Sequence, residues 1–144
     1  MTELEKMMSG QVFDGMDKEI DAIRTQATLA LRAFNNNTDE SKRDELQKQL
    51  FGKAGLCIVQ APFHCEFGKT IEIGEETFIN MNVVMLDGAK ITIGNNVLIG
   101  PSVQLYTASH SVDYRSRRRG KRFVNPSRLK MMCGLAEIRS LTKV

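Results

Sequence analysis

The feature that most constrains this chain is an aliphatic or aromatic residue that recurs every six positions. The recurring residues form two runs: Phe67, Ile73, Ile79, Met85, and then Ile93, Ile99, Leu105. Neither the 3.6-residue period of a helix nor the alternation of a half-buried strand produces a repeat of six. A solenoid does, if each hexapeptide supplies one short strand and a turn and three hexapeptides close one triangular coil. The repeat therefore predicts a mainly β fold, a left-handed parallel β-helix.

Glycines accompany the repeat, at Gly68, Gly74, Gly94 and Gly100. We expect them to supply turn angles that side chains resist. The two runs are offset by two residues, which the Asp87-Gly88 turn signal can absorb. A Gly-rich β-meander is the alternative, and seven consecutive matches to the repeat disfavour it.

Helical patterns precede the repeats. Apolar residues at three- and four-residue intervals predict an amphipathic helix from Met16 to Phe34, and a second is predicted from Glu40 to about Phe51. A weaker pattern favours a short helix near Glu3–Ser9. The predicted organisation is a helical cap over residues 1–55, β-helix coils over residues 56–114 and a basic, poorly ordered tail over residues 115–144.

No apolar run approaches the roughly 20 residues that a membrane helix needs, and no secretory signal is recognisable. We therefore expect a cytoplasmic protein without a membrane partner. Three cysteines, Cys57, Cys65 and Cys133, lack the spacing of a zinc site. Free thiols and no metal are expected.

Particular strings resemble a known family. These are P-F-H-C-E-F-G-K-T-I-E-I-G (residues 62–74), F-I-N-M-N-V-V-M-L-D (78–87) and I-T-I-G-N-N-V-L-I-G-P-S-V-Q-L-Y-T-A-S-H (91–110). Together with the N-terminal L-F-G they resemble the maltose, galactoside and nodulation-type O-acetyltransferases, over about residues 4–118. The resemblance implies acetyl transfer from acetyl-CoA, as co-substrate, to a sugar hydroxyl. It also implies a helical cap and a homotrimer with active sites between subunits.

The family's general base is a His at the end of the T-A-S-H motif, and His110 occupies that position. A sugar hydroxyl is a poor nucleophile at neutral pH, and an imidazole is suited to accept its proton during attack on a thioester. On the residues alone, a lone His in a polar loop is more often only solvent-exposed. The resemblance reverses that preference.

The resemblance also implies acceptor-binding roles for Asp14, Asn80, Glu66 and Asp87. Carboxylates and amides suit hydroxyl recognition, because a carboxylate accepts several hydrogen bonds and an amide both donates and accepts. The alternatives stay open: a helix cap for Asp14, an asparagine ladder for Asn80 and a turn residue for Asp87. His64, which precedes the repeats, is expected to be structural.

The charge changes sign where the resemblance ends. Residues 1–118 hold 13 Lys and Arg against 16 Asp and Glu, whereas residues 119–144 hold seven against one. In a frame shifted by one base, permitted codons of the tail can spell Lys-Pro-Ile and Val-Trp-Ile-Gly-Gly, as in the family's next coil. The hypothesis is a frameshift near Arg117–Arg119. A nucleic-acid-binding tail is disfavoured, because the rest of the chain is acidic and aromatic interleaving is sparse.

This departure from the family carries expectations about activity. The residues that bind acetyl-CoA are expected in later coils that the tail does not match. We expect little more than two coils, an exposed apolar end and an acetyltransferase of impaired activity. A non-catalytic remnant that binds sugar or joins trimers is the alternative.

Overall fold

The computed structural model describes residues 1–110 and 112–129. Helices and strands alternate in a fixed order along this part of the chain. The helices are α1 (Glu3–Met8), α2 (Lys18–Asn35), α3 (Arg43–Leu50, after a 3-10 turn at Glu40–Lys42) and α4 (Tyr114–Arg118). The strands are β1 (Phe13–Asp14), β2 (Lys53–Ala54), β3 (Ile58–Val59), β4 (His64–Cys65), β5 (Ile71–Ile73), β6 (Phe78–Ile79), β7 (Val84–Leu86), β8 (Ile91–Ile93), β9 (Leu98–Ile99), β10 (Gln104–Tyr106), β11 (Ala108–His110), β12 (Lys121–Val124) and β13 (Ser127–Leu129).

The strands from β2 to β10 build a three-sided solenoid. Parallel pairing joins β2, β5 and β8 in one sheet, β3, β6 and β9 in a second, and β4, β7 and β10 in a third. We call these sheets B, C and D. Ile71 pairs with Ile91, Phe78 with Leu98 and Val84 with Gln104, so that one coil takes 20 residues. The prediction of stacked hexapeptide coils is confirmed.

Inward-facing side chains of successive coils lie on top of one another. One such stack contains Val59, Ile79 and Ile99, each at most 2% exposed. Because equivalent positions lie 20 residues apart, each aliphatic side chain covers the one beneath it and together they form one apolar core. The core extends to the last described coil, where Leu105 is 4% exposed. The expected exposed apolar end is therefore not seen at these positions.

Two expectations about the coils need correction. Strands β2 to β4 form a complete coil below the first recognised repeat, so the described residues contain three coils rather than little more than two. The left-handed backbone angles of the turns fall on Glu76, Asn82, Asn96 and Ser102, not on the repeat glycines, Gly68 excepted.

Glycine at position 74 serves close stacking between coils. A Cβ there would lie 2.7 Å from the carbonyl carbon of Gly94 and 2.3 Å from Asn95 Oδ1.

The helical cap packs against the first coil. Asp17 caps α2 by accepting from the backbone amides of Glu19 and Ile20. The buried amide of Gln47, on α3, donates to the carbonyl oxygen of Cys57 at 3.1 Å and accepts from Val59 N at 2.9 Å. The predicted helices are confirmed, and this side-chain bridge continues the backbone hydrogen bonding of the first coil into the cap.

The chain leaves the solenoid after β10 and returns at β13. Residues 107–126 form an excursion that carries β11, α4 and β12, and β13 then pairs in parallel with β8. Strand β12 lies between β1 and β11 in an antiparallel sheet. This differs from the expected poorly ordered tail, because residues 115–129 contain a helix and two paired strands. The remainder of the predicted tail lies outside the described residues.

Candidate active site

His110 is the last residue of β11, at the edge of the antiparallel sheet. Within the sheet, His110 pairs with Arg122 of β12, and Arg122 pairs with Phe13 of β1. The side chain of His110 is exposed, whereas Phe13 is buried in the core between cap and coils. Residues paired across neighbouring strands point to the same face of a sheet. The imidazole therefore lies on the same face as the Arg122 side chain, at the rim of the third coil.

Asp14 lies in the same sheet as His110. It follows Phe13 in β1 and pairs with Lys121. Its Oδ1 accepts from Met16 N at 3.0 Å, and its own backbone N–H donates to Glu3 Oε2 at 2.5 Å. The carboxylate is half-buried, with one oxygen engaged in a local turn. The predicted base and one predicted acceptor residue thus lie on strands that flank β12.

Glu66 lies beneath this sheet and binds two arginines. Its Oε1 accepts from Arg24 Nε at 3.1 Å and from Arg122 Nη1 at 3.0 Å, and its side chain is 16% exposed. Arg24 also donates to Gly15 O and lies 5.4 Å from the centre of the Phe67 ring. The carboxylate therefore joins the cap, the coil corner and the excursion.

Asp87 has a structural position and not the predicted contact with acceptor. It is fully buried, and its Oδ1 accepts from the backbone amides of Glu66 and Phe67 at 2.8 and 3.0 Å. Its Oδ2 accepts from Gly68 N at 2.7 Å and from the Thr70 hydroxyl at 2.6 Å. With four donors on two inaccessible oxygens, the carboxylate fixes the corner turn, as the turn-residue alternative has it.

Asn80 lies at a different corner of the prism from His110. It follows β6, between sheets C and D, whereas His110 follows β10 on the way from sheet D to sheet B. Asn80 Oδ1 accepts from Met81 N at 2.8 Å, and the side chain is half-buried. One chain therefore does not bring these two residues together. His64, on β4, is exposed.

The sequence analysis did not find Arg24 and Arg122. Arg24 is one of several polar residues on α2, and nothing in the helical period distinguishes it. Arg122 lies in the basic run at 115–122, where no repeat or motif gives a register. Only the pairing of β12 with β11 shows that Arg122 lies beside His110.

The thiols of Cys57 and Cys65 are free. Burial, followed by the nearby carboxylates of Asp44 and Glu75, raises the pKa of the Cys57 thiol to about 11. Burial also raises the pKa of the Cys65 thiol. Cys133 lies outside the described residues. Among the residues that the structure describes, no cluster of metal-ligating side chains occurs, and no helix is long and apolar enough to cross a membrane.

Comparison with known proteins places the chain in a family. Residues 6–55 match the maltose acetyltransferase hexapeptide capping motif. Nodulation protein L of Rhizobium meliloti (strain 1021) is 37% identical over 134 residues, which cover 89% of this chain and 72% of that protein.

Two solved structures are also similar. A hexapeptide-repeat acetyltransferase from Vibrio cholerae O1 biovar eltor, complexed with acetyl coenzyme A, is 59% identical with a TM-score of 0.79. A maltose O-acetyltransferase from Clostridium difficile 630 is 37% identical with a TM-score of 0.85. Each alignment covers 88% of this chain and 69% of the other.

The cap, the 20-residue coils and these similarities agree. The chain belongs to the hexapeptide-repeat acetyltransferases of the maltose, galactoside and nodulation type. It spans about two thirds of the length of the relatives to which it is similar.

Proposed function

We propose that this protein transfers the acetyl group of acetyl-CoA to a hydroxyl of a sugar, with His110 as the general base. The observation that carries this proposal is the exposed imidazole at the coil rim, two strands away from Asp14. Both positions match the family's motifs. An exposed base beside a second hydroxyl-binding group suits a polar acceptor that enters from solvent.

The reaction needs only a base and a donor for the developing negative charge. His110 accepts the proton of the sugar hydroxyl while its oxygen forms a bond to the thioester carbon. The tetrahedral intermediate carries its negative charge on the former carbonyl oxygen, which a backbone N–H can stabilise. Collapse breaks the carbon–sulfur bond, and the departing thiolate takes the proton from the imidazolium. No covalent acyl-enzyme is formed.

Asp14 and Glu66 are proposed to bind the acceptor. Each carboxylate has one oxygen in a printed contact within the protein, Oδ1 of Asp14 and Oε1 of Glu66. The second oxygen of each remains available to accept a hydrogen bond from a hydroxyl. Two arginines beside Glu66 keep its carboxylate ionised and fixed in direction.

We also propose a left-handed coil and a homotrimer whose active sites lie between subunits. His110 and Asn80 lie at different corners of one prism, so a site that uses both requires two chains. The outer face of sheet C supports self-association, because Ile58, Phe78 and Leu98 pair in one row across its three strands. Ile58 is 41% exposed and Leu98 is 52% exposed. An apolar row of this kind is typical of a buried interface.

Release of coenzyme A tests the proposal. Purified protein is incubated with acetyl-CoA and either maltose, glucose or a galactoside, and free thiol is measured against a sample without acceptor. We expect acceptor-dependent release that saturates with sugar. The impaired activity expected from the sequence predicts a slow rate. Sugar binding by calorimetry with no acceptor-dependent release would instead support the non-catalytic alternative. Neither release nor sugar binding would refute the assignment.

A further inference from the structure

The strand that bears His110 has a single hydrogen-bonded neighbour within the described part of the chain. Strand β11 lies at the edge of the sheet, and β12 is its partner. The position of the imidazole therefore depends on what holds β12. Edge strands with one neighbour are more easily displaced than strands paired on both sides.

Two side chains of β12 anchor the hairpin, one near each end. Val124, opposite Ala108, is 1% exposed and packs in the cluster of Phe13, Phe67 and Ala89. Arg122 lies opposite His110 and donates to Glu66 Oε1 at 3.0 Å. The apolar anchor thus holds the end away from the imidazole, and the ion pair holds the end that carries it.

The ion pair is built into rigid surroundings. Glu66 donates its backbone N–H to the buried carboxylate of Asp87, and Arg24 of α2 binds the same Oε1 as Arg122. The path of Arg122 to Glu66 also requires glycine at position 15, because a Cβ there would lie 2.7 Å from Arg122 Cδ. The cap therefore leaves space for this arginine and supplies a second cation for its partner.

We infer that Arg122, held by Glu66, is a positioning residue that fixes the strand of the catalytic base. This inference rests on the proposed role of His110 for its meaning in catalysis. Its structural part, a local clamp on residues 108–110, can be measured without turnover. A charged hydrogen bond in a part-buried setting contributes enough to alter local opening, whereas an exposed ion pair contributes little.

Hydrogen exchange of the full chain tests the clamp. In Arg122→Met we expect the amides of residues 108–110 to exchange roughly tenfold faster, while the amides of the coil strands keep their rates. Arg122→Lys should restore most of the protection. Arg118→Met, an exposed arginine of α4, is the matched control and should leave exchange in β11 unchanged. Glu66→Gln should act in the same direction as Arg122→Met and serves if that variant does not fold.

Kinetics give a second readout where wild-type turnover is measurable. Misplacement of a base lowers kcat, by roughly tenfold or more for a displacement of about 1 Å. The KM for acetyl-CoA should stay the same, and Arg122→Lys should recover kcat. Unchanged exchange at residues 108–110 in both variants would overturn the inference, as would uniformly faster exchange in the coils. A wild-type protein without turnover that still shows the selective exchange would refute the proposed function and leave the clamp intact.

Discussion

Substitution of Asp87 by Asn tests whether this carboxylate fixes the coil corner. Its two oxygens accept four hydrogen bonds, three from the backbone amides of residues 66–68 and one from the Thr70 hydroxyl. An amide keeps one oxygen and places an NH2 group where the other accepted. Because Asp87 is fully buried, water cannot readily replace the lost acceptor.

The magnitude follows from the donors left without a partner. If the NH2 group replaces Oδ2, Gly68 N–H has no acceptor, and a buried unsatisfied donor costs about 1–3 kcal/mol. Weaker, uncharged bonds at the remaining oxygen add roughly 1 kcal/mol. The expected loss in the free energy of unfolding is therefore about 2–4 kcal/mol, or roughly 5–12 °C in Tm for a chain of this size.

Thermal unfolding followed by far-UV circular dichroism is the assay, since the chain has no Trp for fluorescence. Protein concentration is held constant because self-association would shift Tm. Asp44→Asn, an exposed substitution on α3, is the matched control and should change stability by less than about 0.5 kcal/mol. A Tm for Asp87→Asn equal to that of the wild type, together with a raised KM for sugar, would refute the structural role and restore the acceptor contact.

Three further predictions concern the interface, a thiol and the tail. Leu98→Lys should lower the oligomer mass in light scattering, because it places a charge in the apolar row of sheet C, while Leu29→Lys on α2 should not; a trimer that persists in the first variant contradicts the proposed interface. Cys57 should react slowly with iodoacetamide at pH 8 and faster as the pH approaches 11, because its thiol ionises only near that value and the thiolate is the nucleophile. The sign for stability follows: a thiol whose pKa is raised from about 9 favours the folded state below pH 9, and this contribution is lost as the pH rises from 9 to about 11; rapid labelling at pH 8 would contradict the burial. The nucleotide sequence after codon 116 should permit the shifted Val-Trp-Ile-Gly-Gly frame, and codons that exclude it reject the frameshift hypothesis.

The coils could be predicted because their signal is local and repeated. Each buried position, such as Ile79 and Ile99, recurs at a fixed spacing, and stacking requires nothing beyond that spacing. The first coil gave a weaker signal, because Lys53 stands near the level of Ile73 and shares none of its apolar character. The tail gave none, since the pairing of β13 with β8 skips 16 residues beyond the regular coil and no periodic pattern spans that gap.

The site was predicted in part for the same reason. His110 and Asp14 are recognisable from motifs, but their common sheet depends on β12, which no motif marks. Asp87 illustrates the limit of residue type as a guide. A carboxylate after a buried strand suits either a hydroxyl ligand or a turn, and only its 0% exposure and four donors distinguish the two.

The measurement that tests the central claim most directly is the kcat/KM for sugar of His110→Ala against the wild type, at saturating acetyl-CoA. Removal of a general base should lower this ratio by roughly 10²- to 10⁴-fold, and the exposed position of the side chain should leave Tm unchanged. A variant that folds as the wild type does and retains its turnover would show that the imidazole at the coil rim is not the base.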